Sequence, residues 1–561
     1  MLAAHMNRFR IVDRADTLYR IPGPVVRDSR LRGGRTNEGC RWMATIGYRQ
    51  DGYAKVIGGA RYTADLTQAG LAHARFKRAG VAHARIRHLD LERARALPGV
   101  LAVICHKDVP AVRFGGLIDD RTLFAADVVR WEGEILAAVA ALTPHIAERA
   151  VELIDVELEP LPPVLDLEAA LEPGSPPVHE DWATYRANDD LIRAGNDASR
   201  SVIIRGDADA AMASADAIVR SRYVVDSSQP APLEPRAVVA EWQGDRVTVW
   251  SSTQMPFAAR EFIAETLDLP QRSVRVIVTH LGGGFGGKSG GHFEPHIVAL
   301  ARAAGRPVRL VLDRKEEFLL PYHRRERMVL ELESGVTQDG TVLARRGRIL
   351  VDNGAYSGAE PLFSQLAAML AAGPYRLPSV HITSHCIYTN TQPSGAVRAP
   401  TGPAVTGARE QHIDEIADRL GMDPLEFRLR NLMRDGDESP TGQVFDEISA
   451  IEVMNRAVTL IGYGEDLPEN EAIGLSCGYW FSYAERSGAF VKIDPNGSPT
   501  IITGALECGS GAVMALPKLA SEILGIDESE FTIRNQDTDT GPWDAGAVGS
   551  QTTFNNGRAV S

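Results

Sequence analysis

Cysteine is scarce in this sequence, and where it occurs it is badly spaced for metals. The five cysteines, Cys40, Cys105, Cys386, Cys477 and Cys508, form no CxxC pair. That excludes a zinc ribbon and any iron–sulfur cluster held by this chain alone. An odd, sparse count suits a reducing cytoplasm rather than a disulfide framework. Long hydrophobic runs are also missing, and nothing approaches the roughly 18 apolar residues that suggest a membrane span. The opening "MLAAHMNRFRIVDRADTLYR" is interrupted by Arg and Asp and lacks the apolar core of a signal peptide. Excess positive charge is absent as well. A formal charge of −13 argues against nucleic acid or an anionic membrane surface as the partner.

What remains is ordinary globular composition, 44% hydrophobic and 24% charged over 561 residues, enough for several domains. Residues 1–45 are basic and aperiodic, and are expected to be a loose arm. Short strands alternate with helices over 46–170. "VLAVICHKDVP" reads as a buried strand and a turn, and "IAERAVELIDVELEPLPPV" as a helix running into a strand and a proline stop. A Pro/Gly/Ser-rich linker covers 171–198. The next unit, 199–435, contains "RAVVAEWQGDRVTVWSSTQ", which alternates around "QGD" as a hairpin does. It also contains a helical stripe of Ile413, Ile416, Ala417 and Leu420 stopped by Gly421, then a restart with Asp423 as N-cap and Pro424 at N1. The polar stretch 436–470 is expected to be a second linker. The last unit, 471–561, combines the strand "PTIITGALECG", a glycine loop, the helix "LPKLASEILG" and the strand "FTIRNQDT".

The stretch "HLGGGFGGKSGG", His280 to Gly291, fits two phosphate-loop patterns at once. Gly282-x-x-x-x-Gly287-Lys288-Ser289 is P-loop-like, and Gly282-x-Gly284-x-x-Gly287 is dinucleotide-like. Asp313, ending "VRLVLD", could serve as the acid of either. Both folds need a helix starting at the last glycine, so that its amides hold phosphate. Here the first turn would contain Gly290 and Gly291, costing about 1 kcal/mol each relative to Ala. Pro295 would fall in the second turn, at about 3 kcal/mol more. A helix beginning near Pro295 fits better, leaving a long glycine loop whose amides can approach a ligand closely. The run "HFEPH", His292 to His296, invites a zinc reading, but Pro295 disrupts i,i+4 presentation.

Eight ordered segments resemble the molybdenum-binding large subunit of the xanthine oxidase and aldehyde oxidase family, the molybdenum hydroxylases. They are "RQDGYAKVIGGARYTADL", "ARALPGVLAVICHKDVP", "FAADVVRWEGEILAAVAA", "HLGGGFGGK", "VDNGAYSG" with "GAVRAPTGP", "DEIADRLGMDPLEFRLRN" and "GALECGSGAVMALPKLASEILGI". The resemblance covers roughly residues 46–561. It implies an α+β fold in which an N-terminal α/β hammerhead-like domain precedes molybdopterin-binding α+β domains, the last of them incomplete. It implies molybdenum held by the dithiolene of molybdopterin, in its cytosine dinucleotide form, with no side chain bound to the metal. The reaction implied is hydroxylation of an aldehyde or N-heteroaromatic carbon with water as oxygen source. Electrons would pass to a [2Fe–2S] small subunit and an FAD medium subunit, because this chain has neither cluster cysteines nor a flavin fingerprint.

By the same resemblance, Gln254 in "SSTQMPF" faces an apical oxygen ligand of molybdenum, together with Gly284, Phe285 and Gly286. Arg398 faces substrate and stabilises developing negative charge. The alternative for Arg398 is an ion pair with Glu410. Gly509, Ser510 and Gly511 stand where the family carries Gly-Gln-Gly on the pterin, and Ser550, Gln551 and Thr552 where another cofactor loop is expected. Three departures bear on substrate and chemistry. Ser289 replaces the glutamate that grips purine, Ala399 replaces the cysteine of aerobic carbon monoxide dehydrogenases, and Ser510 replaces the glutamine. The family's catalytic glutamate has no counterpart here, so a further C-terminal part or a second molybdopterin-domain polypeptide is expected to supply it. Glu294 and Glu507 are the weaker substitutes on this chain.

Overall fold

Parallel strands that end at the same edge of one sheet determine where the functional loops meet. The computed structural model describes residues 51–289, 292–478, 480–481 and 485–561. The expected arm 1–45, Cys40, Gly290 and Gly291 lie outside them. The chain divides into Met1–Ala60, whose described part carries the helix Gly52–Val56, and Arg61–Ser561. No helix among the described residues is long and apolar enough to cross a membrane.

In Arg61–Ser561 a seven-stranded mixed sheet runs in the order Val274–Ile277, Arg246–Ser251, Ala237–Gln243, Val308–Val311, Ala72–Arg78, Ile135–Ala141, Val100–Cys105. Strands expected in different domains therefore share one sheet, through the parallel pairing of Ala72 with Val308. The uninterrupted apolar run "ILAAVAA" at Ile135–Ala141 is buried at every position, as an interior strand covered on both faces should be. The helix Glu294–Ala304 packs Ile297, Val298, Leu300 and Ala301 into the same core. A six-stranded sheet follows, in the order Ile192–Ala194, Asp197–Arg205, Ser379–Tyr388, Val342–Gly354, Met328–Val336, Ala217–Val225. The helices Glu360–Ala372 and Gly402–Leu420 cover it. Three short strands near the C-terminus, Ala489–Ile493, Pro499–Thr503 and Thr532–Arg534, form a smaller sheet.

Several local expectations hold. The hairpin pairs Ala237–Gln243 antiparallel with Arg246–Ser251. Asp423 accepts the amides of Leu425 and Glu426, and Gly421 ends its helix in the left-handed region. Two differ: the expected linker 171–198 ends in the strand Ile192–Ala194 and the first residues of Asp197–Arg205, both part of the six-stranded sheet, and the expected linker 436–470 contains the helix Ala450–Ile461. Its Ile451, Met454 and Val458, at helical spacing, pack on the second core, a stripe that the polar average of the segment conceals.

The glycine loop departs from both phosphate-loop readings. Helix Glu294–Ala304 begins seven residues after Gly287. Asp313 is the N-cap of Arg314–Glu317, in a reciprocal capping box with Glu316. Lys288 is fully buried and its Nζ donates to Glu234 Oε2 at 2.8 Å. The same oxygen accepts the Gly282 amide at 2.7 Å, so one carboxylate ties both ends of the loop. Burial lowers the Lys288 ammonium pKa, and Glu234 opposes that shift. Arg236 and His323 both reach the Gly287 carbonyl.

Lys288→Ala should therefore act on folding and not on nucleotides. Leaving Glu234 without its cation is expected to cost about 3 kcal/mol, the range for breaking a buried pair. Urea titration measures this, and calorimetry of the wild type with ATP or GTP should show no binding. Saturable nucleotide binding that vanishes in the variant would restore the P-loop reading.

Candidate functional site

Gln254 follows the strand Arg246–Ser251, and the glycine loop follows Val274–Ile277. These strands are parallel neighbours, so both loops leave the sheet at one edge. Gln254 is buried, and its backbone amide donates to the Lys288 carbonyl at 2.7 Å. Its side chain bridges two segments. Oε1 accepts the Gly286 amide at 2.9 Å, and Nε2 donates to the Ala547 carbonyl at 2.7 Å. A donor at one end and an acceptor at the other fix which way the carboxamide points. At Gly284 a Cβ would lie 2.2 Å from Gln254 Oε1, so only glycine allows this approach.

Gly286 must be glycine because another backbone segment lies where its side chain would be. Its φ is +92°, and a Cβ would lie 1.4 Å from the Ala396 carbonyl oxygen. The space kept free is occupied by the Arg398 segment. Next to it the Arg398 amide donates to the Phe285 carbonyl at 2.7 Å. The Arg398 guanidinium is exposed, with no hydrogen bond or ion pair among the described residues. The alternative pairing with Glu410 does not occur, because Glu410 is engaged by Arg409 and Arg428 at 2.9 and 3.1 Å.

The third segment arrives through an added edge. Residues 536–538 pair with Val274–Ile277, with Val278 N to Gln536 O at 2.8 Å and Thr538 N to Val276 O at 3.1 Å. That brings Ala547 onto Gln254, where its amide also donates to the Gln254 carbonyl at 3.0 Å. Ser550, Gln551 and Thr552 follow in the same loop, Thr552 opening the helix Thr552–Val560. Gly509, Ser510 and Gly511 join through Leu506 and Cys508, which pack with Leu281 and Ala547. All the residues selected from sequence thus lie on adjoining loops. Five non-glycine residues of this region, Phe285, Tyr322, Ala399, Thr401 and Ser550, have φ between 53° and 59°. Each such conformation costs on the order of 1–3 kcal/mol and persists only where surrounding structure imposes it.

Two observations suit a pterin cofactor carrying phosphate. The amides of Gly283, Gly284 and Phe285 find no acceptor among the described residues. Gln551, nearly fully buried, leaves Nε2 without a partner there as well. The acids considered as substitute bases are committed elsewhere. Glu294 is buried and accepts from Ser251, His292 and Phe293. Glu507 accepts the amides of Gly509, Gly511 and Val513, shaping the loop itself. In "HFEPH", His296 Nε2 meets the Leu123 carbonyl at 2.6 Å, and burial holds its pKa down to about 3. It is a neutral core residue. Sequence reasoning missed Ala547 and Glu234, whose parts are played by a carbonyl and by a carboxylate about 50 residues from the loop it ties.

Comparison with known proteins gives a consistent result. Residues 57–162 match the family described as aldehyde oxidase and xanthine dehydrogenase, a/b hammerhead domain. Residues 194–432 and 464–561 each match a molybdopterin cofactor-binding domain. The chain is 31% identical over 537 residues to the xanthine dehydrogenase molybdenum-binding subunit of Escherichia coli O157:H7, covering 90% of this chain and 69% of that one. It is 32% identical over 563 residues to the 6-hydroxypseudooxynicotine dehydrogenase complex subunit gamma of Paenarthrobacter nicotinovorans, covering 92% and 68%. Among solved structures, quinoline 2-oxidoreductase from Pseudomonas putida 86 superimposes with a TM-score of 0.80 at 30% identity, over 92% of this chain and 69% of that one. The chain belongs to the molybdenum hydroxylases of the xanthine dehydrogenase and aldehyde oxidase family, as a molybdopterin-binding subunit.

Proposed function

We propose that this subunit hydroxylates an aldehyde or N-heteroaromatic carbon, taking oxygen from water and releasing two electrons and two protons per turnover. When bound, the molybdenum carried by molybdopterin would supply the two-electron redox couple for that oxidation. The observation that carries the reading is Gln254, whose buried carboxamide is oriented by Gly286 and Ala547 where the expected cofactor loops meet. Its second Nε2 proton remains available to a ligand. Gly284, Phe285 and Gly286 line one side, with the amides of Gly284 and Phe285 open to a ligand. Gly509 to Gly511 and Ser550 to Thr552 would hold the pterin and its phosphate, with the unpaired Gln551 Nε2 as a donor. Arg398 offers a fixed positive charge where negative charge develops on substrate oxygen or nitrogen.

The substrate is smaller or less polar than a purine. Ser289 puts no carboxylate in the loop, and its hydroxyl is buried. Val397 is buried, and neither it nor Pro400 sets an aromatic ring beside Arg398. Relatives are named for xanthine, nicotinate and nicotine. We further assign the cofactor to the cytosine dinucleotide form, the electron acceptors to [2Fe–2S] and FAD subunits, and the location to the cytoplasm. All four cysteines among the described residues are free thiols, which supports a reducing location.

The complex purified from its host should contain molybdenum and pterin near one per chain. It should oxidise quinoline or benzaldehyde with incorporation of ¹⁸O from labelled water, and turn over xanthine poorly. Absence of both metal and pterin would refute the assignment. Cofactor without turnover would mark a scaffold, and efficient xanthine oxidation would overturn the substrate reading.

Gln254→Ala removes two hydrogen bonds and leaves the Gly286 amide and Ala547 carbonyl unpaired, costing about 1–3 kcal/mol. Molybdenum per chain is expected to fall below half that of the wild type, by elemental analysis. Full occupancy in this variant would remove Gln254 from the cofactor site.

A further inference from the structure

The turn carrying Arg398 is held from beneath by one dipeptide. Arg325 sends Nη2 to the Arg398 carbonyl and Nη1 to the Ala399 carbonyl, the latter at 2.8 Å. Glu326, fully buried, accepts the Thr401 amide at Oε1 over 2.6 Å. The contact continues backwards along both segments, with Gly395 N to Arg324 O and Tyr322 N to Pro393 O, each 2.9 Å. On the opposite side Arg398 N is fixed to the Phe285 carbonyl. Ala399 and Thr401 sit at φ of 55° and 58°, a backbone that alanine and threonine hold only under external constraint. The Arg398 side chain itself has no protein partner among the described residues, so what the protein holds in place is the peptide from which it projects.

We propose that Arg325 and Glu326 are positioning residues for Arg398, acting on the reaction only by holding the Arg398–Thr401 turn. The inference rests on the reading that the Arg398 guanidinium faces substrate. Catalysis tolerates little displacement of a charge-stabilising group, which is why a brace two residues wide should be visible in rate. Glu326 is adapted to hold an amide without a full charge. Burial pushes its pKa up to about 7, and Glu360, also buried, has its pKa raised by burial and by Glu326. Arg324 and Arg325 on its own segment draw the Glu326 value back down. Neither Glu360 oxygen finds a partner among the described residues, as expected where two carboxyls cannot both ionise. A glutamine at 326 is therefore a close mimic, whereas leucine removes the acceptor.

The test is a double-mutant cycle in the assembled holoenzyme, normalised to molybdenum content, using whichever of quinoline or benzaldehyde the wild type oxidises. Arg325→Met and Glu326→Leu should each lower kcat about tenfold or more with little change in KM, and Glu326→Gln should stay within about twofold. On an Arg398→Ala background the same substitutions should lower kcat no further, because their target is gone. Full additivity, or wild-type kcat in both Arg325→Met and Glu326→Leu, overturns the proposal. Wild-type kcat in Arg398→Ala alone would instead sink the substrate-facing reading, and this inference with it. Independently of turnover, hydrogen exchange of peptides spanning Arg398–Thr401 should accelerate in Arg325→Met. Unchanged protection there also overturns it. Arg325 is half-buried, so this variant carries the test should Glu326→Leu fail to fold.

Discussion

The buried carboxamide of Gln254 is the contact on which the site depends. A carboxamide can donate at one end and accept at the other, and here each end satisfies the backbone of a different loop. Replacing it with an apolar side chain would leave an amide and a carbonyl unpaired in the interior, a larger loss than the net value of the bonds themselves. The arrangement is possible because parallel strands deliver Gln254 and the glycine loop to one edge, and because an added edge segment brings in Ala547. Glycine at 284 then allows the side chain to touch the loop.

Charge inside the protein is used for geometry. Buried pairs such as Lys288 with Glu234, or Glu410 between Arg409 and Arg428, gain little net stability because desolvation offsets their attraction. Each does require its partner at one place. Glu234 fixes the base of the glycine loop, and Glu410 is taken up by Arg409 and Arg428. The guanidinium of Arg398 is exposed, without a protein partner among the described residues, and Arg398 opens a turn whose Ala399 and Thr401 hold left-handed backbone angles.

Much of this was legible in the chain. Continuous apolar runs gave interior strands, alternation around "QGD" gave the hairpin, and Asp423, Gly421 and Pro295 marked helix ends correctly, because capping and proline geometry act within a few residues. The penalty of two glycines and a proline was enough to reject a helix at Gly287. The helix at Ala450–Ile461 was hidden because its three apolar contacts sit in a polar segment, and averaging over composition erases a stripe. The crowding at Gly286 was hidden for a related reason: nothing local reveals that the Ala396 carbonyl, 110 residues later, occupies the place of its missing side chain.

Sequence by itself determined the elements, their ends, the family resemblance and the residue types available for chemistry, since these follow from local propensity and from motif order. Tertiary structure alone decided which backbone groups those residues would meet. Lys288 became a buried latch instead of a phosphate ligand because Glu234, 54 positions away, folds beneath it. Gln254 became a bridge because Ala547 arrives 293 positions later. Such partners are selected by sheet order and strand direction, which bring distant carbonyls and carboxylates within 3 Å, and no periodicity along the chain encodes that distance.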